Sequence, residues 1–279
     1  MTASPRLLGL LLLATCLGCT RPAKLPECPP GGLGPAALDR GLLILGELHG
    51  TEQAPPVVLA TACHAALREG HAWIGLEQPA GDQPQLDAYL AGGDEAALLA
   101  GEAWQRPVQD GRNSEAMLAL LRRVRELRKQ GLKLDVVYFD VPLSESGTRG
   151  RDQQMALNLE AAREARPRAP GVVLVGNVHA TRRLQLPKSM AWYLGGRGVG
   201  YRNLDLASEG GTAWLAGLTG GVSPVGPGGP APREGDRGFT FEVGDSPRGG
   251  FDGWWFGGKL TASAPAVKPA AGGGAKKAH

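Results

Sequence analysis

Four short runs of continuously apolar residues recur along the chain, and stretches with helical spacing separate them. The apolar runs cover residues 42–45, 72–76, 134–139 and 172–175. Apolarity without alternation is typical of buried strands that are covered on both faces. The intervening residues 56–69, 113–130 and 150–165 place apolar side chains every three or four positions, as amphipathic helices do. This pattern predicts an α/β fold, with a mostly parallel sheet built from βαβ units and helices on both of its faces.

Two later segments, residues 199–206 and 238–243, alternate apolar and polar side chains and predict C-terminal edge or antiparallel strands. Residues 207–237, between them, are rich in Gly and Pro. The whole chain has 43 Gly and 22 Pro among 279 residues, which is just below the range of low-complexity chains, so a wholly disordered protein is excluded. We therefore expect one α/β domain over residues 38–260.

The N-terminus has the features of a bacterial export signal. Arg6 precedes an apolar stretch that is too short to span a membrane, and small residues follow it. The sequence Leu17-Gly18-Cys19 is similar to a lipobox, in which the cysteine is lipidated and becomes the first residue of the mature protein. Cys16 is an alternative lipidation site, and plain secretion is a further alternative. We expect residues 1–19 to be a lipoprotein-type signal peptide, and the lipid on Cys19 to anchor the protein to a membrane of the bacterial cell envelope.

Low-complexity segments flank the predicted domain. Residues 20–37 carry five prolines and predict a Pro- and Gly-rich tether, and residues 261–279 end in AVKPAAGGGAKKAH and predict a disordered tail. Beyond the anchor, the cysteines are Cys28 and Cys63. An exported protein can form a disulfide between them, and a buried free thiol at Cys63 is the alternative.

Each of the four predicted strands ends in acidic or imidazole side chains. The endings are Gly46-Glu47-Leu48-His49-Gly50, Glu77-Gln78-Pro79, Asp140-Val141-Pro142 and Gly176-Asn177-Val178-His179. In a parallel sheet these ends lie along one edge, where open α/β sheets bind their ligands. One residue separates Glu47 from His49, so both side chains project to one face if the chain stays extended. We predict that one cleft is lined by Glu47, His49, Glu77 and His179.

The residues of the predicted cleft suit two chemistries. They can bind a divalent transition metal, with Glu47, His49 and His179 as ligands, and so lower the pKa of a bound water. Alternatively, a paired His and Glu can act as a general base on water without a metal. The chain has no Gly-x-Ser-x-Gly motif and Cys63 lies in a helical pattern, so an acyl-enzyme mechanism has little support.

The helix predicted after the third strand begins with Arg151 and Asp152, and its first turn faces the same edge of the sheet. Arg151 can bind an anionic substrate or an oxyanion through paired N–H groups, and an exposed surface arginine is the alternative. The predicted substrate-binding residues are Arg151, Asp152 and the strand-end Asp140.

These motifs resemble a known superfamily in their order and spacing. GELHG follows the first strand, LEQP follows the second, RDQQMALN opens a helix and GNVHA follows a later strand. They are similar to the superfamily that includes the haem-binding lipoprotein ChaN, the erythromycin esterases and the Tiki and TraB-type proteases. The resemblance covers about residues 38–206, with a weaker similarity in FDGWWFGGKLTAS. It implies an α/β fold whose active-site positions are Glu47, His49, Glu77 and His179, with Arg151 and Asp152 on the adjoining helix.

Members of this superfamily are described as metal-dependent proteases, macrolide esterases and haem or iron carriers, so two functions stay open. The first is a hydrolase that uses Glu47 and His49 to activate water against a peptide or ester, with Glu77 and His179 completing a metal site or holding the substrate. The second is a lipoprotein that binds haem or iron without catalysis. An exposed apolar patch favours haem; Trp254 and Trp255 are the candidates, and packing in a final strand is their alternative.

The predicted ligand is a small molecule or a peptide. A formal net charge of +3 over 279 residues is too small and too dispersed for a dedicated nucleic-acid binder. The sequence leaves the oligomeric state open.

Overall fold

The computed structural model describes residues 25–106, 108–145, 150–183, 188–216, 220–236, 238–241 and 250–267. One sheet contains the strands β1 (Leu42–Glu47), β2 (Ala72–Pro79), β3 (Leu134–Asp140), β4 (Gly171–Gly176), β5 (Arg202–Leu215), β6 (Gly221–Val225), β7 (Phe239–Phe241) and β8 (Gly253–Leu260). The α-helices are α1 (Ala54–Glu69), α2 (Gln83–Leu90), α3 (Glu95–Leu99), α4 (Glu115–Lys129), α5 (Arg151–Glu164), α6 (Asn177–Ala180) and α7 (Met190–Gly196). No helix in these ranges is long and apolar enough to cross a membrane.

The strand order is β3-β2-β4-β1-β5-β8-β7, with β6 paired to β5 beside this path. The pairs among β1, β2, β3, β4, β5 and β8 are parallel, whereas β6 and β7 pair antiparallel. The prediction of a mostly parallel sheet with C-terminal edge strands is therefore confirmed. Because β4 lies between β1 and β2, the carboxyl ends of these three strands are neighbours.

Helices cover both faces of the sheet, as the continuous apolarity of the strands predicts. Leu43 and Leu45 of β1 point into one core, which α1 and α4 complete. Leu42 and Ile44 point into a second core, which contains residues of α5 and α7 such as Leu159. Successive side chains of a strand point to opposite faces, so one strand contributes to both cores.

The folded unit extends beyond the predicted limits of residues 38–260 at both ends. Cys28 forms a disulfide with Cys63 of α1, and Leu33 is buried just before a 3-10 turn at Pro35–Leu38. Of the predicted tether, the part from Cys28 onward is therefore held against the domain. Ser263 is buried as well, so the predicted disordered tail begins with ordered residues. The predicted signal peptide, including Cys19, lies outside the described residues.

Candidate active site

Three neighbouring strand ends bring the predicted site residues to one edge of the sheet. Glu47 is the last residue of β1, Glu77 lies near the end of β2, and His179 lies in α6 immediately after β4. The backbone N–H of Gly176, at the end of β4, donates to Glu77 Oε2 at 2.8 Å. A Cβ at position 176 would lie 2.9 Å from His49 Nε2, so the glycine leaves room for the imidazole to reach Glu77.

His49 lies between two carboxylates. Its Nδ1 is 2.9 Å from Glu47 Oε1, and its Nε2 is 3.3 Å from Glu77 Oε2. Burial lowers the pKa of His49, but the charge of Glu77 and the hydrogen bond to Glu47 outweigh it and raise that pKa to about 10. Both neighbours are hydrogen-bond acceptors, so the ring is an imidazolium at neutral pH and donates from both nitrogens.

His179 has the opposite surroundings. Its Nδ1 is 2.7 Å from Asp152 Oδ1, which also accepts the backbone N–H of Met190 at 2.7 Å. Its Nε2 faces Arg151 Nη1 at 3.3 Å and Glu77 Oε1 at 3.7 Å. A guanidinium has donors only, so the contact with Arg151 assigns Nε2 as an acceptor and places the ring proton on Nδ1. The lone pair of Nε2 therefore accepts a hydrogen bond from Arg151.

Two guanidiniums bind the buried carboxylates Glu77 and Asp140. Glu77 Oε1 accepts from Arg112 at 2.9 Å and from Arg151 at 2.6 Å. Asp140 accepts from Arg112 at 3.0 Å and from Arg151 at two positions, both 2.9 Å. Burial raises the pKa of Glu77, but His49, Arg112 and His179 together hold it well below its usual range. We call this group the Glu77 cluster; its members are Glu47, His49, Glu77, Arg112, Asp140, Arg151, Asp152 and His179.

The sequence did not predict Arg112 as a site residue. It lies in the loop of residues 106–113, where Asp110 accepts from its Nε at 3.0 Å and thereby orients it. Gly111 has φ +90, and a Cβ there would lie 2.3 Å from the backbone nitrogen of Gly50, so this loop packs directly against the loop of His49. The loop has neither strand nor helical periodicity, so no sequence pattern linked it to the site.

A segment near the C-terminus, residues 262–266, joins the loops that carry His49 and Arg112. Ser263 donates its backbone N–H to Gly50 O at 2.9 Å, and Ala262 forms a β-bridge with Thr51. Ala266 donates to Asn113 O at 3.0 Å. The prediction of a disordered tail from residue 261 is thus wrong for these residues, because backbone hydrogen bonds to distant loops order them.

The surroundings of Arg151 and of the two tryptophans bear on the roles that the sequence predicts for them. Nε and Nη2 of Arg151 are bonded to the carboxylates of Asp140 and Glu77, which neutralise the charge that an anionic substrate would need, and Nη1 faces His179. Burial lowers the pKa of Arg151, but Asp140 and Glu77 outweigh it and raise that pKa. Trp254 and Trp255 are buried in β8, so they form no exposed apolar patch; packing in a final strand, the alternative interpretation, is what the structure has.

The donor chemistry of the cluster does not fit a divalent cation in this arrangement. Arg112 and Arg151 occupy Oε1 of Glu77, and His49 and the Gly176 N–H occupy Oε2. A metal at Glu47, His49 and His179 would have to displace a proton from His49 and lie beside a guanidinium. Within the described ranges, no group of three or more His, Cys, Asp or Glu side chains is placed to hold a metal ion. The metal and haem expectations stay predictions, which metal analysis and a haem titration of the purified protein would test.

No protein-family model and no curated protein match the chain. Among solved structures, it is similar to a mutant of the erythromycin esterase EreC in its open conformation, with 14% identity over 72% of this chain and 79% of that chain and a TM-score of 0.51. A protein from Bacillus cereus matches 81% of this chain and 90% of its own, at 13% identity and a TM-score of 0.48. A succinoglycan biosynthesis protein matches 68% and 73%, at 9% identity and 0.44.

At these identities the likeness shows the fold alone. The chain has the α/β fold of the esterase structure, which agrees with the fold that the sequence motifs imply. Membership of the superfamily itself remains a proposal that this shared fold supports.

Proposed function

We propose that the Glu77 cluster hydrolyses an ester or peptide bond by activating a water molecule. The observation that carries the proposal is the different hydrogen bonding of His49 and His179 on the two sides of one buried carboxylate: His49 lies between two acceptors, whereas His179 Nε2 accepts from Arg151. Two titratable groups whose surroundings push their protonation apart are the usual arrangement of a general acid and a general base. The shared fold with an erythromycin esterase is consistent with this chemistry.

In the proposed reaction, a water molecule replaces Arg151 at Nε2 of His179, which takes a proton from it while the water oxygen attacks the carbonyl carbon of the substrate. His49 then donates its Nε2 proton to the leaving oxygen or nitrogen as the bond to the carbonyl carbon breaks. The products are a carboxylic acid and an alcohol or amine, with His179 protonated and His49 neutral. Proton exchange with solvent restores the starting state, because both side chains are partly exposed, His49 by 20% and His179 by 13%.

The remaining members of the cluster position these two histidines. Asp152 fixes the tautomer of His179 and stabilises the imidazolium that forms, as the carboxylate of a catalytic triad does. Glu47 holds Nδ1 of His49. Arg112 and Arg151 keep Glu77 ionised, so that it retains the proton on His49. This assignment gives the base role to His179 and the acid role to His49, whereas the sequence analysis gave water activation to Glu47 and His49.

The test is an assay of purified protein on a panel of neutral esters and peptides. Replacement of the base, His179→Ala, is expected to lower kcat/KM by roughly two to four orders of magnitude, the contribution of a general base. Asp152→Asn is expected to lower it as well, because the neutral amide lacks the charge that stabilises the imidazolium formed on His179. The matched control is His71→Gln, since His71 pairs with Asp135 outside the cluster. Equal rates in His179→Ala and the wild type would disprove the base role, and no hydrolysis of any panel member by the wild type would disprove the proposal.

We further propose that the protein acts in the cell envelope, held to a membrane by a lipid on Cys19. The disulfide between Cys28 and Cys63 supports export, because such bridges persist in oxidising compartments.

A further inference from the structure

Exposed apolar side chains lie in segments that adjoin the Glu77 cluster. Among the described residues, the large apolar side chains with high exposure are Leu25, Leu67, Val108, Val178 and Val222. Single exposed apolar residues are ordinary on protein surfaces, so their number carries no argument. Their placement does carry an argument, because three of them, Val108, Val178 and Val222, lie in or beside the segments that form this one site.

Each of the three valines is tied to a residue of the cluster or to its loops. Val178 is 61% exposed and directly precedes His179. Val108 is 58% exposed and belongs to the loop that carries Arg112. Val222 is 63% exposed and is the cross-strand partner of Trp214 in the pairing of β5 with β6, so the two side chains lie on one face.

Trp214 connects Val222 to the site. Its backbone N–H donates to Gly50 O at 2.9 Å, next to His49. Its indole Nε1–H donates to Gln109 O at 3.2 Å, next to Val108. The partly exposed ring therefore lies between the loop of His49 and the loop of Arg112. We call Val108, Val178, Trp214 and Val222 the apolar rim.

The charges inside the rim are already paired. Arg112 binds Asp110, Glu77 and Asp140, and Arg151 binds Glu77 and Asp140. His49 lies between Glu47 and Glu77. In the described part of the cluster no cation is left to neutralise a charged substrate, and a carboxylate or phosphate on the substrate would meet these ionised carboxylates.

From the rim and the paired charges we infer that the site takes an uncharged ester or amide with an apolar group of several carbons beside the scissile bond. This inference rests on the proposed hydrolase function and specifies its substrate class. The apolar group would cover the rim valines and the Trp214 ring, while the carbonyl carbon lies over His49 and His179. Each methylene that leaves water is worth about a fourfold gain in binding, and partial burial reduces that gain.

The experiment compares p-nitrophenyl acetate, butyrate, hexanoate and the mono-succinate, whose acyl group carries a charge. For the wild type, kcat/KM is expected to rise about tenfold from acetate to hexanoate and to be lowest for the succinate. The triple variant Val108→Ser/Val178→Ser/Val222→Ser is expected to lose most of the hexanoate advantage over acetate. The matched control is Leu67→Ser, an exposed apolar residue in the last turn of α1, which should retain the wild-type ratio.

A second measurement separates this inference from the proposed function. Long-chain methyl ketones are uncharged and cannot be hydrolysed, and binding of 2-undecanone can be followed by ligand-observed NMR. Binding to the wild type and to Leu67→Ser, with loss in the triple variant, supports the inference even if no ester is hydrolysed, in which case only the hydrolase proposal fails. The inference would be overturned if the wild type and the triple variant had the same hexanoate-to-acetate ratio, or if the wild type preferred the succinate. It would also be overturned if the wild type neither hydrolysed an ester nor bound the ketone.

Discussion

His49 and His179 face opposite oxygens of the same carboxylate: His49 Nε2 is 3.3 Å from Oε2 of Glu77, and His179 Nε2 is 3.7 Å from Oε1. Their partners differ in kind. His49 is between two acceptors, whereas His179 has an acceptor at Nδ1 and the donor Arg151 at Nε2. The hydrogen-bond character of the neighbours thus differs between the two rings, and Glu77 connects them.

Replacing Glu77 by Gln tests this connection. The amide is nearly isosteric but carries no charge, so the pKa of His49 should fall, and Arg112 and Arg151 should lose a buried partner. We expect the free energy of unfolding to drop by about 3–5 kcal/mol, the usual cost of breaking a buried ion pair. NMR titration of His49 and urea unfolding measure the two effects. Glu126→Gln, at an exposed pair with Arg123, is the control and should change stability by less than about 0.5 kcal/mol. An unaltered His49 titration in Glu77→Gln would refute the assignment.

The free energy of unfolding should decrease at alkaline pH, because His49 loses its proton there. Its pKa rises from 6.5 to about 10 on folding, so the stabilisation is complete below about pH 6.5 and is lost as the pH rises through about 10. Urea midpoints of the wild type should therefore decline between about pH 7 and 10. The decline should be weaker in His49→Gln and unchanged in His64→Gln, which alters an exposed histidine of α1. Equal declines in His49→Gln and the wild type would count against a charged His49.

Ala substitutions at two glycines with nearly equal φ distinguish the effect of backbone strain from the effect of packing between loops. Gly111 and Gly131 have φ +90 and +91, but a Cβ at 111 would collide with Gly50, whereas one at 131 would meet nothing within 4 Å. Ala at either position costs roughly 1 kcal/mol in backbone strain. Gly111→Ala should in addition displace Arg112 and lower hydrolysis at least tenfold, with Gly131→Ala near the wild-type rate. Similar rates in the two variants would show that the packing of these loops does not position the site.

The disulfide closes a long loop, because Cys28 and Cys63 are separated by 35 positions in the sequence. The chain-entropy relation gives about 3–4 kcal/mol for such a loop. Cys28→Ser/Cys63→Ser should therefore lower the free energy of unfolding by up to this amount, as measured with urea. Adding a reductant should destabilise the wild type and leave the double variant unaffected. If the reductant opens the disulfide completely and the free energy of unfolding of the wild type does not change, the bridge contributes nothing to stability.

Lipidation can be tested directly in cells. Cys19 follows Leu17-Gly18 at the end of the export signal, so a clickable fatty acid should label the wild-type protein and not Cys19→Ser. Gel fluorescence of the purified chains measures the label. Equal labelling of both proteins would move the lipid to Cys16 or exclude the lipobox assignment.

The sequence predicted the parts of this molecule whose signal is local. The strands were visible because each is a run of apolar residues. The polar side chains that come at or shortly after the ends of those runs were visible for the same reason, and they are Glu47, Glu77, Asp140 and His179. Arg112 was not, since its role depends on the packing of Gly111 against Gly50, two loops that are distant in sequence. The protonation of the histidines could not be predicted from the sequence for the same reason, because the neighbours of each imidazole ring come from several strands, helices and loops.

The ordered segments at the two ends of the domain could not be predicted from the sequence for a similar reason. A segment with five prolines predicts a tether by composition, but a covalent bond to α1 and the burial of Leu33 hold its final part against the domain. Near the other end, residues 262–266 have no apolar periodicity and are ordered by hydrogen bonds to residues more than a hundred positions away.

The position of residues 262–266 in the chain sets the order in which the site can be assembled. They follow every described strand of the sheet in the chain, and together with Trp214 they join the loop of His49 to the loop of Arg112. A chain that ends before them has all the chemical groups of the site but lacks part of the hydrogen bonding that joins these two loops. Complete alignment of the two loops would therefore depend on residues that are translated after all of the groups that they align.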